Sequence, residues 1–598
     1  VSLATDNLRS ARGLLAALVT RGLRDAVICP GSRSGPLTSA AHQLEQRGQL
    51  RLHPCIDERS AAFHALGMAR GAGRATAVIT TSGTAVANLL PAAVEAHHSG
   101  LPLLLLTADR PRRLKHCGAN QTVDQERFLE PCCRWLEPGP EAGLAMASPA
   151  DLTAMAGRLW QHAHGRPAGP VHGNLPFEEP LHPGAEALQD LDAAAADPAE
   201  RPLSVGDVDR PAPTGTAPPA DPLDLSEPGV IVAGPWRGRP QDHPAWLEQL
   251  GRISRRLAWP VLADPLSGVR GAPGIDTVLS HELVLAEPPA FTAASQVLRL
   301  GPMPASRPLQ RWLSSLQTAQ LLLMEGDARP HDPLRRALQR SDGLLSWWRD
   351  REAGAPPEPM AGNQRHSQDW LAAEAAAQAV LEAALPLQGP ISEPALARWL
   401  PRLLPEAWPV MLASSSPVRD WLRYGPGDAP QRWIDGFRGA SGIDGTLSLA
   451  MGLARSLGRL VLVCGDLALL HDSNGWLWGR ELGAALTVLL IDNGGGGIFE
   501  QLPIRLEQDT GEDERFERLF AMPQSVNPRT LAAAHGVPSR VLQRLEDLPA
   551  ALEWSLAQPL ALLHLPTHRR ADAARRRSLA QTVSVRMKAQ SAAQQPGP

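Results

Sequence analysis

The sequence predicts an α/β protein built on parallel sheets, and three observations carry that prediction. Residues 461–464 and 486–491 are short apolar runs, and 467–482 between them can wind as a helix. Strand, helix and strand of this length make a βαβ unit with parallel strands. The first 185 residues alternate in the same way. Strands are then expected at 229–234, 261–263, 296–300 and 320–324, again alternating with helical stretches.

Composition breaks the chain into regions. Ala, Asp and Pro dominate 186–226, and a second polar, Pro-rich stretch opens at 354. Such stretches read as linkers. The expected division is an α/β region 1–185, a linker 186–226, a middle α/β domain 227–353, a linker 354–370 and a third α/β region 371–568. Residues 569–598, rich in Arg and Ala, are expected to be a disordered solvated tail.

In chain order, 6–21 spaces its apolar residues as an amphipathic helix and 25–29 follows as a strand. Pro30-Gly31-Ser32-Arg33-Ser34-Gly35-Pro36-Leu37 is a strand-to-helix loop. It can receive an anion through backbone N–H groups and the forked Arg33 guanidinium, or serve only as a helix cap. Residues 52–57 are the next strand. Glu58 stands where it meets a helix N-terminus, a place where an acid also complements the helix dipole. Residues 77–80 form a strand, Thr81-Ser82-Gly83-Thr84-Ala85 its loop, and 86–97 a helix. The buried strand 103–107 ends in Ala108-Asp109-Arg110-Pro111, and Cys117-Gly118-Ala119-Asn120-Gln121 follows. In the third region 410–414 reads as a strand. Ser415 and Arg419 lie four apart, one helical turn, so both can face one ligand.

The βαβ unit at 461–491 is the most informative. Asp466 and Asn493 fall at the carboxyl ends of its strands, where open α/β sheets bind ligands. Both offer hard oxygens suited to Mg²⁺, an ion that usually keeps substrate phosphates in its shell. Gly494, Gly495, Gly496 and Gly497 carry no Cβ, so a backbone carbonyl and a phosphate can come close. The same residues are also ordinary turn formers. A dinucleotide loop is disfavoured, because the G-x-G-x-x-G spacing fails at Phe499 and Glu500.

At 598 residues the chain has room for several domains, and 43% hydrophobic with 20% charged residues fits a globular protein. A net charge of −4 gives no argument for nucleic acid or a membrane surface. No apolar run approaches a membrane span, and no signal peptide is expected at the start. The six cysteines, 29, 55, 117, 132, 133 and 464, form no C-x-x-C pair. Neither zinc nor a disulfide framework is suggested, and a reduced, cytoplasmic setting is expected. Nearly every basic residue is Arg, so an Arg counts as evidence only inside a motif.

Several motifs resemble a known family. Gly465-Asp466 followed by a helix and Asn493 is similar to the thiamine diphosphate motif, although Leu467 stands where many members have a third Gly. The octapeptide at 30–37, Asp57-Glu58-Arg59 with Phe63-His64-Ala65-Leu66-Gly67, and Arg438-Gly439-Ala440-Ser441-Gly442-Ile443-Asp444-Gly445 resemble the SEPHCHC synthase (MenD) family. The resemblance implies three doubly wound parallel-sheet domains of the thiamine diphosphate-dependent enzyme fold. It implies thiamine diphosphate and Mg²⁺ (or Mn²⁺) as cofactors, the metal held by Asp466, Asn493 and the Gly495 carbonyl. Glu58 would bond N1′ of the aminopyrimidine and so promote removal of the C2 proton. Ile443 would be the apolar wedge under the bent cofactor, unless it simply packs in the core.

The implied reaction decarboxylates 2-oxoglutarate and adds the four-carbon unit to isochorismate, in menaquinone or phylloquinone biosynthesis. Ser32, Arg33, Arg110, Asn120, Gln121, Ser415, Arg419 and Arg438 would bind these polycarboxylates. Ile498, Phe499 and Leu502 would wall the pocket. Arg307 matches a position where relatives carry a Lys-Arg pair, with Ser306 in place of the Lys; a plain surface Arg is the other reading. The family implies a homodimer as the minimal active unit, or a dimer of dimers as a homotetramer. The rival functions are another carboligase of acetolactate synthase type, which the 30–37 and 438–445 runs oppose, and a non-catalytic binding protein on the same fold.

Overall fold

The computed structural model describes residues 2–184, 220–506 and 514–594. It contains three six-stranded sheets, and every strand pairing within them is parallel. The first runs, edge to edge, Arg51–Pro54, Asp25–Ile28, Thr76–Thr80, Leu103–Asp109, Pro170–Pro176 and Leu136–Pro138. The last runs Ile434–Asp435, Val410–Leu412, Arg459–Gly465, Ala485–Asp492, Leu560–Pro566 and Ser539–Val541. Counted within each sheet, both follow the order 2-1-3-4-6-5. The middle sheet starts from Gly229–Ala233 and follows 3-2-1-4-5-6. These are doubly wound sheets, as expected. Their central strands are largely apolar because helices cover both faces; Leu103–Asp109 is buried at every position, its Thr107 and Asp109 included.

The chain divides into two compact units. One comprises 1–216, 438–458 and 472–482; the other comprises 217–437, 459–471 and 483–598. The first sheet lies in the first unit, over a core that includes Leu14, Leu18, Leu104, Leu106, Leu159 and Phe177. The middle and last sheets share the second unit, and one apolar core runs through it from Trp312 and Trp370 to Val461 and Leu563.

In a doubly wound sheet the loops beside the point where strand order reverses form the ligand crevice. In the first sheet that point lies between Asp25–Ile28 and Thr76–Thr80, so the crevice loops are those of Ser32 and Ser82. The backbones come close there: a Cβ on Gly31 would sit 2.3 Å from Thr81 Cβ. In the last sheet the reversal lies between Val410–Leu412 and Arg459–Gly465, beside Ser415 and Asp466.

Four expectations need correction. Residues 569–594 are not disordered: Arg569–Gln594 is a helix. Its Ala573, Arg576, Leu579, Val583 and Met587 recur every three or four residues and are buried, a helical stripe masked by the Arg-rich composition. The second linker ends early, because Ala361–Ala384 is one helix. Its polar start is buried and bonded: Asn363 Nδ2 donates to the Leu257 carbonyl at 3.0 Å, and His366 Nε2 lies 2.7 Å from Ser295 Oγ. The stretch 467–482 is two pieces, Asp466–His471 and a 3₁₀ segment Ser473–Glu481. Asp472 between them turns inward to accept the Ser448 amide at 2.7 Å. The helix expected at 86–97 is likewise Thr84–Ala87 followed by Leu90–Ser99, restarting at Pro91, which has no N–H to continue a ladder. Most of the expected linker 186–226 lies outside the described residues.

Candidate active site

In the second unit two strand ends meet at an oxygen-rich loop. Arg459–Gly465 delivers Asp466, and Ala485–Asp492 delivers Asn493 and the four glycines. Asp466 Oδ2 accepts the Gly495 amide at 2.7 Å. Asn493 Nδ2 donates to Glu393 Oε1 at 2.8 Å, while Asn493 Oδ1 is buried with no protein partner. The glycines are required: Gly494 and Gly495 have φ of 76° and 123°, a region open to Gly at no steric cost. A Cβ on Gly495 would lie 2.1 Å from the Ala521 carbonyl. Burial and the neighbouring Asp492 push the Asp466 carboxyl up to about 6. A half-buried acid under that stress beside an orphaned amide oxygen suits a small hard cation. The donor set is one carboxylate, one amide and backbone carbonyls; among the described residues no trio of His, Cys, Asp or Glu could hold a metal.

Ile498 and Phe499 follow on the 3₁₀ turn Gly497–Gln501, and Leu502 caps it. All three are half-buried, and Phe499 packs edge-on against Phe520. Ser415 caps the helix Ser416–Tyr424 in a left-handed conformation, and its carbonyl accepts from Arg419 Nη1 at 2.7 Å. Arg307 is the exposed first residue of the helix Arg307–Ser315. Ser306 is that helix's cap, buried, with its hydroxyl on the Leu309 amide at 3.2 Å.

In the first unit Glu58 opens the helix Glu58–Ala72. The cap role falls to Asp57, whose side chain accepts the amides of Arg59 and Ser60. That leaves the half-buried Glu58 carboxylate for another task. Arg110 Nη1 donates to Ser82 Oγ at 2.5 Å and to the Gln121 carbonyl at 2.8 Å, and Gln121 Nε2 donates to the Ser82 carbonyl. Burial, then the like charge of Arg33, lowers the Arg110 pKa, so the two guanidiniums share one neighbourhood. Arg33 itself is buried and engaged, donating to the Phe177 carbonyl at 2.9 Å and to Glu179 at 2.7 Å. Ser32 and Asn120 are exposed.

Arg438 and Ile443 also belong to the first unit, on the loop before the helix Thr446–Leu457. Sequence reasoning missed what shapes that loop. Glu95, buried on Leu90–Ser99, accepts the amides of Arg438, Gly439, Ala440 and Ser441 at 2.6 to 3.3 Å. The available signal was an acid within the apolar first turns of a helix, among Ala92, Ala93, Val94 and Ala96. Ser82, which orients Arg110, and Glu393, which holds Asn493, were missed as well.

Known proteins resemble this chain along nearly its whole length. Residues 8–128 match the N-terminal TPP binding domain of the thiamine pyrophosphate enzymes, and residues 418–564 match their C-terminal TPP binding domain. The chain is 53% identical over 585 residues to a protein of Synechococcus sp. (strain RCC307), covering 96% of this chain and 97% of that one. It is 53% identical over 562 residues to one of Parasynechococcus marenigrum (strain WH8102), covering 92% and 97%. It is 55% identical over 574 residues to one of Synechococcus sp. (strain WH7803), covering 95% and 97%. All three relatives are named 2-succinyl-5-enolpyruvyl-6-hydroxy-3-cyclohexene-1-carboxylate synthase. With near full-length identity above one half to relatives of that name and both domains matched, the chain belongs to the 2-succinyl-5-enolpyruvyl-6-hydroxy-3-cyclohexene-1-carboxylate (SEPHCHC) synthase family of thiamine pyrophosphate enzymes.

Proposed function

We propose that the chain is a SEPHCHC synthase, which decarboxylates 2-oxoglutarate on thiamine diphosphate and joins the remaining four carbons to isochorismate, releasing CO₂. The observation that carries the reading is the 466–497 loop pair in a chain whose near full-length relatives bear that name. When bound, thiamine diphosphate supplies the electron sink that a 2-oxo acid needs to lose CO₂. The protein's part is to bind, orient and exclude water. Asp466, the free Oδ1 of Asn493 and the Gly495 carbonyl would hold Mg²⁺, or Mn²⁺, against the diphosphate. Glu58 would share a proton with the aminopyrimidine N1′, and Ile443 would support the bent cofactor from below.

Two polycarboxylate substrates call for several cations. Arg33, Arg110, Arg419 and Arg438, with Ser32, Asn120, Gln121 and Ser415, are the proposed set. Arg110 is pre-aimed by Ser82 and Gln121, which reduces the ordering cost of binding. Arg307 is the weakest member, since it stands on an exposed helix start. Ile498, Phe499 and Leu502 would supply the apolar wall. A homodimer, or a homotetramer made from two, would be the active assembly. A cytoplasmic setting fits the cysteines, which are all free thiols. No described helix is long and apolar enough to cross a membrane.

The test is CO₂ release from 2-oxoglutarate with thiamine diphosphate and Mg²⁺, with and without isochorismate, while isochorismate absorbance is followed. Coupled loss of both substrates is expected. CO₂ release without isochorismate consumption would refute the acceptor, and no turnover by a cofactor-loaded chain would refute the synthase reading.

A further inference from the structure

Asn493 is bonded to a residue outside both matched regions. Glu393 opens the helix Glu393–Leu403 and is 2% exposed. Its Oε1 accepts from Asn493 Nδ2 at 2.8 Å, and its Oε2 accepts from Arg576 Nη2 at 2.7 Å. Arg576 lies on the last helix, Arg569–Gln594, and also forks onto Asp420, its Nε 2.9 Å from Asp420 Oδ1. Asp420 and Arg576 are as buried as Glu393. Asp572, one turn before Arg576, accepts the Glu393 amide at 3.3 Å.

The chemistry of this chain of contacts is directional. Both oxygens of Glu393 receive N–H donors, Oε1 from Asn493 and Oε2 from Arg576, so the edge of Asn493 that faces Glu393 is its NH₂. The amide oxygen is thereby turned the other way, where it is buried without a protein partner. A buried ion pair is seldom the most stabilising use of its volume, because desolvation consumes much of the Coulombic gain. A triad that fixes one amide therefore makes more sense as an orienting device than as a staple.

We propose that Glu393 is a positioning residue for the metal ligand Asn493, and that the final helix holds Glu393 in place through Arg576. The inference rests on the metal site proposed at Asp466, Asn493 and Gly495. It makes the helix 569–594 part of cofactor binding, although no residue of that helix is offered as a ligand. Outer partners that orient a ligand are worth about 10- to 100-fold in metal affinity.

The test is calorimetric titration of Mg²⁺ into the full chain in the presence of excess thiamine diphosphate. Parent, Asp466→Ala, Glu393→Gln and Arg576→Lys are compared, and the thermal midpoint of each cofactor-free chain is measured alongside. Glu393→Gln leaves one acceptor oxygen for two donors and should weaken Mg²⁺ binding about 10- to 100-fold. Arg576→Lys keeps the charge but not the fork that spans two carboxylates, and should weaken binding by roughly 3- to 10-fold. A purely structural role would lower the midpoints and leave Mg²⁺ affinity of the folded chain unchanged. Affinity within about twofold of the parent in both variants overturns the inference; if Glu393→Gln does not fold, Arg576→Lys decides alone. A parent that binds no Mg²⁺, or an Asp466→Ala variant that binds like the parent, refutes the metal site itself and the inference with it.

Discussion

Replacing Glu95 with Gln should unfasten the loop that carries Arg438 and Ile443 while changing the side chain's volume very little. In the structure Oε1 of Glu95 accepts from the amides of Arg438 and Gly439 and from the Ser99 hydroxyl, and Oε2 accepts from the amides of Ala440 and Ser441. Gln has one acceptor oxygen. Placed at Oε1 it keeps the first group, but its NH₂ then faces two N–H groups that lose their partner. Hydrogen bonds to a charged group contribute about 1.5–3 kcal/mol each, and an orphaned buried donor costs about 1–3 kcal/mol. Ala440 is exposed and Ser441 half-buried, so water recovers part of that loss. A net destabilisation of about 3 kcal/mol is expected. Urea unfolding at pH 7.5 would measure it, and steady-state kinetics of the folded variant should show a raised KM for the carboxylate substrates. A variant within about 0.5 kcal/mol of the parent, with unchanged KM, would refute the claim that Glu95 shapes this loop.

Three further outcomes are expected. Gly452→Ala puts a Cβ 2.0 Å from the His64 carbonyl, forcing apart the helices Glu58–Ala72 and Thr446–Leu457 at a cost of about 3 kcal/mol in urea unfolding. Gly362→Ala, where a Cβ meets nothing within 4 Å, is the neutral control, and equal midpoints for the two would sink the argument. Burial raises the Asp472 carboxyl to about 6, so the folded chain holds this proton more tightly than the unfolded one. Asp472 should then contribute a loss of about 3 kcal/mol as pH rises from about 4 to 6, beside the Asp466 and Asp572 carboxyls, raised to about 6 and about 7. Asp472→Asn keeps an acceptor for the Ser448 amide and should reduce the slope over that range; an unchanged slope would remove Asp472 as a source of it. Glu58→Gln should preserve thermal midpoint and Mg²⁺ affinity and lose most turnover, whereas parental turnover would deprive Glu58 of its proposed role.

Much of this protein was legible because its signals are local. The apolar run 261–263 gave a strand with the bounds seen in the fold, since a strand covered on both faces is mostly apolar; 296–300 did so too, although its buried Gln296 and Arg299 are polar. Asp466 and Asn493 were legible because a parallel sheet puts functional groups at strand ends, and the residues just after an apolar run are visible in the sequence. The last helix was misread because Arg and Ala dominate its composition, while its buried stripe is only one residue in three or four. The start of the helix Ala361–Ala384 was misread as linker for a related reason: buried polar residues look like loop until their partners, Leu257 and Ser295, are known.

The sequence by itself determined the strand and helix alternation, the glycine loop after Asn493 and the place of Glu58 at a helix start, because each depends on neighbours within a few residues. Only the tertiary structure decided which carboxylates serve the site. Glu95 meets the 438–441 loop across more than three hundred residues of chain, and Glu393 meets Asn493 and Arg576 across one hundred and more. A carboxylate's role depends on which donors surround it once buried, and chain folding, rather than local spacing, brings those donors to it.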